Sequence, residues 1–199
     1  MASSPSVHPV HLVLTVIGAD RPGLVDRLSQ LVAEHGGNWE RSQMARLGGK
    51  FAGIVEVSIT AGAAGALETT LDALGDAGLH VTVERTDPGP AVAGPRLVIS
   101  LVGTDRPGLV HAVAGALADV GANIEELVTA TTDAPMAGGT LFEATVTVAL
   151  PDDVTADDVR TRLEAIADRL MVDIDVDVDR DIDRDIDRDV DPGTDPQGR

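Results

Sequence analysis

The chain contains the same short pattern twice. Gly18, Asp20, Arg21, Pro22, Gly23, Leu24 and Val25 recur as Gly103, Asp105, Arg106, Pro107, Gly108, Leu109 and Val110, at a constant offset of 85 residues. The same offset carries Gly36 and Asn38 onto Gly121 and Asn123. A repeat of this length is larger than a solenoid unit, so it predicts two copies of one small domain within the 199 residues. The best-preserved stretch is also a strand-to-helix turn and not an apolar core run, which directs attention to that turn.

Domains this small bury a modest share of their surface. With only Trp39, Phe51 and Phe142 as aromatics, their cores must be built from Leu, Val, Ile and Ala. The absence of cysteine excludes disulfides, iron–sulfur clusters and thiolate zinc sites. The N-terminus lacks a basic apolar run and no segment approaches 18 continuous apolar residues, so a cytoplasmic protein without a membrane span is expected. The formal charge is −18, and the segment from Asp173 onward contributes eleven Asp and four Arg to it. Both the tail and the remainder are net acidic and would repel a phosphate backbone, so no direct nucleic-acid contact is expected.

Hydrophobic periodicity supplies the elements. His11–Ile17 reads as a buried strand. A helix follows, with Pro22 in its first turn, a stripe of Leu24, Leu28, Leu31 and Val32, and Gly36-Gly37 at its end. Asn38–Ala45 is a more polar strand, turned at Gly48-Gly49. In Phe51–Thr60 the odd positions Phe51, Gly53, Val55, Val57 and Ile59 face one way. A helix bearing Leu67, Leu71 and Leu74 leads to the strand Leu79–Glu84. The second copy repeats this order: strand Arg96–Val102, helix with Leu109, Val113 and Leu117, strands Asn123–Thr131 and Thr140–Leu150 about the loop Thr132–Gly139, and a last helix striped by Val159, Leu163, Ile166 and Leu170. Thr155 and Asp158 have capping-box spacing before that helix. Each copy is therefore βαββαβ. The expected domains are 11–85 and 96–179, with an extension over 1–10, a Pro- and Gly-rich linker over 86–95 and a tail over 180–199. In the tail, odd positions through Asp191 are Asp and the even ones Ile, Val or Arg; this reads as a solvated, disordered segment. A calcium tract is the other reading, but Gly turns and loop geometry are missing.

The turn at Gly18–Gly23 joins a strand end to a helix start. Free amides and the positive end of the helix dipole meet there, which suits a carboxylate. Gly23 leaves room for a ligand to approach the backbone. Asp20 either caps the helix or accepts from an ammonium group, and Asn38 at the start of the next strand offers a donor and an acceptor. Together they supply what a free α-amino acid needs. The same residues also make a sound turn with no ligand, and common ancestry alone explains their recurrence. Arg21 and Arg106 read as solvated or paired with local acids, and Trp39 as core or interface packing. His8, His11, His35, His80 and His111 show no metal-ligand spacing. No nucleophile elbow, Walker loop or dinucleotide fingerprint is present, so neither catalysis nor a cofactor is expected.

These residues resemble ACT domains. The ordered pair is similar to the glycine cleavage system transcriptional repressor family, which consists of two ACT domains and little else. The resemblance rests on Gly-x-Asp-Arg-Pro-Gly-Leu-Val in both copies, on Asn38 and the run Ser42–Gly49 with Phe51, on Asn123–Leu127, on Gly139–Phe142 and on Leu150-Pro151. It implies an α+β fold of two tandem ferredoxin-like domains, each an antiparallel sheet with two helices on one face. It also implies effector contacts at Gly18, Asp20, Arg21, Pro22, Gly23, Leu24 and Asn38, and in the second copy at Gly103, Asp105, Arg106, Pro107, Gly108, Leu109 and Asn123. Effectors of this family lie at an interface between domains, and repression runs through a DNA-binding activator protein with glycine as the signal. The Asp-rich tail departs from the family pattern, and Trp39 stands where a smaller apolar residue is usual.

The function expected from the resemblance is a non-enzymatic sensor of a glycine- or serine-like amino acid. It acts as a homodimer through a protein partner such as a transcription factor. The alternative is an ACT-type regulatory subunit of an amino-acid or one-carbon enzyme. A scaffold with vestigial effector sites is a further reading. An enzyme akin to formyltetrahydrofolate deformylase or phosphoserine phosphatase is disfavoured, because two ACT modules leave no length for a catalytic domain.

Overall fold

A computed structural model describes residues 9–86, 94–133 and 139–178. The acidic tail over 180–199, the N-terminal residues 1–8, most of the linker and the centre of the loop Thr132–Gly139 lie outside the described residues. The chain divides into two compact units, each with its own core.

The first unit runs β1 (Pro9–Ala19), α1 (Leu24–Glu34), β2 (Asn38–Leu47), β3 (Lys50–Thr60), α2 (Ala61–Asp72), a 3-10 turn (Ala73–Ala77) and β4 (Leu79–Thr86). The second runs β5 (Arg96–Thr104), α3 (Leu109–Asp119), β6 (Asn123–Asp133), β7 (Thr140–Ala149), α4 (Ala156–Leu170) and β8 (Val172–Val178). Each makes a four-stranded sheet, ordered β2-β3-β1-β4 and β6-β7-β5-β8, with every neighbouring pair antiparallel. This is the expected ferredoxin-like βαββαβ order in both copies.

Strand parity places the cores. Leu12, Leu14 and Val16 of β1 and Val55, Val57 and Ile59 of β3 are buried on one sheet face. Leu24, Leu28, Leu31 and Val32 of α1 and Ala64, Leu67 and Leu71 of α2 close over that same face. The second unit repeats this with Leu97, Ile99 and Leu101 under Leu109, Val113, Leu117, Val159 and Leu163. Each such buried leucine contributes roughly 2 kcal/mol. Trp39 and Phe51 pack partly buried against the first core, the place expected of Trp39. The capping box at α4 forms as well: the Asp158 N–H donates to Thr155 Oγ1, and the Thr155 N–H donates to Asp158 Oδ2 at 2.9 Å. These donors hold the Asp158 carboxyl below its ordinary range, the Thr155 hydroxyl first and its amide second.

Both helices after the repeated turn start later than their prolines suggest. Pro22 lies in the turn before α1, and Gly23 takes the N-cap position at φ 88°; Gly108 does the same before α3 at φ 93°. A left-handed N-cap strains any residue with a Cβ, and this backbone geometry is why glycine recurs there. Gly18 and Gly103 recur for a different reason. A Cβ on Gly18 would sit 2.8 Å from the Gly78 carbonyl, and one on Gly103 would sit 2.5 Å from Val172 Cγ1 and 2.8 Å from the Met171 carbonyl. The first and last strands of each unit meet too closely at this point for a side chain.

Gly103→Ala is therefore expected to destabilise the second unit by about 1–3 kcal/mol through overpacking. The check is a urea transition whose midpoint falls with its slope unchanged.

Candidate functional site

The repeated turn is fastened on two sides in both units. Its aspartate amide donates to the hairpin that precedes the third strand: Asp20 N–H to the Gly49 carbonyl at 3.1 Å, and Asp105 N–H to the Thr140 carbonyl at 2.8 Å. Its arginine reaches the far side. Arg21 donates to the Ala77 carbonyl at 2.7 Å and Arg106 to the Arg169 carbonyl at 2.9 Å. Both acceptors lie at the C-terminal ends of helical segments, where unpaired carbonyls carry partial negative charge. Among the described residues neither arginine forms an ion pair with a local acid; Arg21 is exposed and Arg106 partly exposed, and each bonds a backbone carbonyl.

Between these fastenings the helix starts are open. Neither α1 nor α3 has a side-chain cap, so the first-turn amides after Gly23 and Gly108 remain available to an anion. Asp20 does not cap α1. Its carboxylate pairs with Arg46 Nε at 2.6 Å, because hairpin pairing places Arg46 beside Phe51 and Phe51 beside Gly18. Leu24 and Leu109 are buried core residues, so only their backbone faces the turn, while Pro22, Pro107, Gly23 and Gly108 are exposed. In the second unit an open depression at the turn is lined by Asp105, Arg106, Gly108, Val110, His111 and Phe142.

The asparagines are not part of this cluster within their own unit. Asn38 pairs with Ser58 and Ser58 with His11, while the turn begins after Gly18. Asn123 pairs with Ala149 and Ala149 with Arg96, with the second turn following Gly103. Seven residues of strand separate the two positions in each unit, roughly 23 Å at about 3.3 Å per residue. The cause is the crossover. A helix that links two parallel strands returns the chain to the starting end of the first, so β2 and β6 begin where β1 and β5 begin. The third strand also lies between, so the asparagine is not on a neighbouring strand.

Asn38 has a local partner instead. Its side-chain amide donates to Glu40 Oε1 at 2.9 Å, and the Ser58 hydroxyl donates to the same oxygen. The register shifts between Trp39 and Arg41, and again between Ile124 and Glu126, so both edge strands carry a bulge at the same repeat position. The Ser58 hydroxyl first and the Asn38 amide second hold the Glu40 carboxyl below the ordinary range against the opposing effect of burial, and the charge of His11 adds the least.

Sequence reasoning missed Arg46, Val110, His111 and Phe142 as neighbours of the turn. No local signal marks them: Arg46 aligns with Thr131 and Asp26 with His111, in a stretch where most positions differ between the copies.

The description "ACT domain" matches residues 10–84 and again residues 97–168. The glycine cleavage system transcriptional repressor of Escherichia coli (strain K12) is 29% identical over 162 residues, covering 80% of this chain and 85% of that protein. The repressor of Shigella flexneri matches to the same extent. Among solved structures, an unknown protein from Galdieria sulphuraria superposes with a TM-score of 0.74 at 35% identity, over 86% of this chain and 99% of its own. A protein proposed to be a glycine cleavage system transcriptional repressor superposes with a TM-score of 0.67 at 23% identity, over 86% of this chain and 98% of its own, which is a likeness of fold.

Asn38→Ala removes one of the two donors to Glu40, so its carboxyl is expected to titrate closer to the ordinary glutamate value of about 4.3. A folded-state pKa below the unfolded one contributes stability that is present above the unfolded value and lost as pH falls through the folded value. The variant should therefore lose less stability on acidification below about pH 4 than the parent, again by reference to that ordinary value. Carboxyl-resolved NMR titration and urea melts across this range measure both effects.

Proposed function

The chain belongs to the ACT domain family, and from that premise we propose that it is a non-enzymatic, amino-acid-sensing regulatory protein. It works in the cytoplasm as a homodimer and regulates glycine cleavage through a protein partner, without contacting DNA itself. The observation that carries this reading is the doubled turn. In each unit an uncapped helix start presents amides beside a carboxylate, and the turn is held by an amide bond on one side and an arginine bond on the other. Amides can take a carboxylate and an aspartate an ammonium, which suits a zwitterion and performs no bond chemistry. The similarity to glycine cleavage system transcriptional repressors supports the regulatory role. The formal charge of −18 supports a protein partner over a nucleic acid. No helix among the described residues is long and apolar enough to cross a membrane.

The turn and the asparagine of one unit stand too far apart to hold one amino acid between them. A ligand favours whichever arrangement of the protein offers it more contacts, and a coupling of about 1–3 kcal/mol is enough to regulate a partner.

Isothermal titration with the twenty amino acids is expected to reveal millimolar or tighter binding of at least one small neutral amino acid. Absence of binding by all of them overturns the sensing reading. Affinity capture from cells should recover a transcription factor. Recovery of a metabolic enzyme alone would favour the regulatory-subunit alternative.

A further inference from the structure

Each sheet has one face under its helices and one open face. On the open face of the first sheet, strand pairing lays residues out in rows across β2, β3, β1 and β4. One row runs Arg41, Glu56, Val13 and Glu84. The next has Ile54 beside Thr15 at its middle, and the one after has Ala52 beside Ile17. Ile54 is 50% exposed and Ile17 47%, and they are diagonal neighbours on adjacent strands. The centre of this face is therefore apolar, and its charges lie in one row, positive at one edge and negative at the other.

We propose that two copies of the chain meet through this face, related by a twofold axis that runs along the strands. The inference rests on the homodimer proposed above and names its surface. Such an axis sets β3 of one copy over β1 of the other, and β2 over β4. Large side chains then meet small ones: Ile54 of each copy faces Thr15 of the other, and Ile17 faces Ala52. Opposite charges also meet, because Arg41 of each copy faces Glu84 of the other. Arg41 is 84% exposed and already bonds Glu56 through Nε and one terminal nitrogen, so its fork has a further donor nitrogen to offer. Glu56 faces Val13 of the other copy with its charge balanced by Arg41 of its own. Twisted sheets stacked in this way turn by about 30°, and the long Arg and Glu side chains span the offset that results at the edges.

The second sheet is not self-complementary under the same operation. Its rows run Glu126, Thr147, Val98 and Asp177, then Val128, Thr145, Ser100 and Asp175. Glu126 of one copy would meet Asp177 of the other, and the 57% exposed Val128 would meet Asp175. Like charges in register oppose association. Asp173, Asp175 and Asp177 also line β8, where charge guards an edge strand against pairing. The apolar face with matched charges belongs to the first unit alone.

Sedimentation equilibrium of the full chain, over a range of concentrations, tests this. Ile54→Asp should raise the dimer dissociation constant at least tenfold, since each copy loses the burial of an isoleucine. Val128→Asp, the corresponding change on the second sheet, should leave it unaltered. Glu84→Arg should weaken association at least fivefold by facing Arg41 with its own charge, and adding Arg41→Gln should recover most of that loss. Within one chain Arg41 and Glu84 stand three strand spacings apart, roughly 14 Å at about 4.8 Å each, so such a rescue identifies contact between copies. If Ile54→Asp does not fold, Glu84→Arg and its rescue carry the test. A chain that is monomeric at every concentration overturns the homodimer reading and this interface with it. A dimer that resists both Ile54→Asp and Glu84→Arg leaves the homodimer standing and overturns this face as its seam. If Ile54→Asp lowers the melting temperature while the dissociation constant holds, the face is covered within one chain and the inference falls.

Discussion

The connection between the first two strands of each unit determines the rest of the site. A single helix must carry the chain from the end of β1 to the start of a parallel strand, and the hairpin after it fills the space between. This puts the strand-to-helix turn at one end of the sheet and the start of the outer strand at the other. The turn is reached from within its own unit by the hairpin, by the end of the second helix and by the start of the last strand. In both units the hairpin supplies a carbonyl to the aspartate amide, and the helical segment supplies a carbonyl to the arginine. The turn is a pinned structure whose open side is the helix start.

Repetition and divergence separate scaffold from chemistry. The features found in both units are backbone requirements: the left-handed glycine before the helix, the bare glycine where outer and inner strands touch, the bulge on the edge strand and the arginine bond to a carbonyl. The side chains around the turn have been free to differ. Arg46 and Trp39 occupy in the first unit what Thr131 and Ile124 leave open in the second.

Most of the fold was legible because its signals are local. Alternating apolar residues in β3 and β7, the apolar stripes of the helices and the Thr155–Asp158 box each depend on residues a few positions apart. Several strands run one or two residues beyond their apolar stretches, because ladder pairing continues into ends such as Gly18-Ala19 and Gly103-Thr104. The site was less legible because its contacts are between distant segments. The acceptor of Arg21 is a backbone carbonyl 56 positions away, and every residue has a carbonyl, so no residue type announces it. The Asp20–Arg46 pair becomes visible only once the register of three strands is known. The distance of the asparagines from the turn of their own unit is likewise invisible until the strand order is known, because the next strand in the chain is not the next strand in the sheet.

The arginine bonds to Ala77 and Arg169 have a consequence for how firmly each turn is held in different media. A guanidinium on a carbonyl pairs a charge with a dipole, and dissolved ions weaken it little. The Asp20–Arg46 pair joins two full charges, with the Arg46 side chain 71% exposed, and counterions screen such a contact. The first turn thus has one ionic-strength-sensitive fastening beside its insensitive ones, and among the described residues the second turn has no counterpart to it. Brine would slacken one half of this duplicated molecule and leave its twin as taut as before.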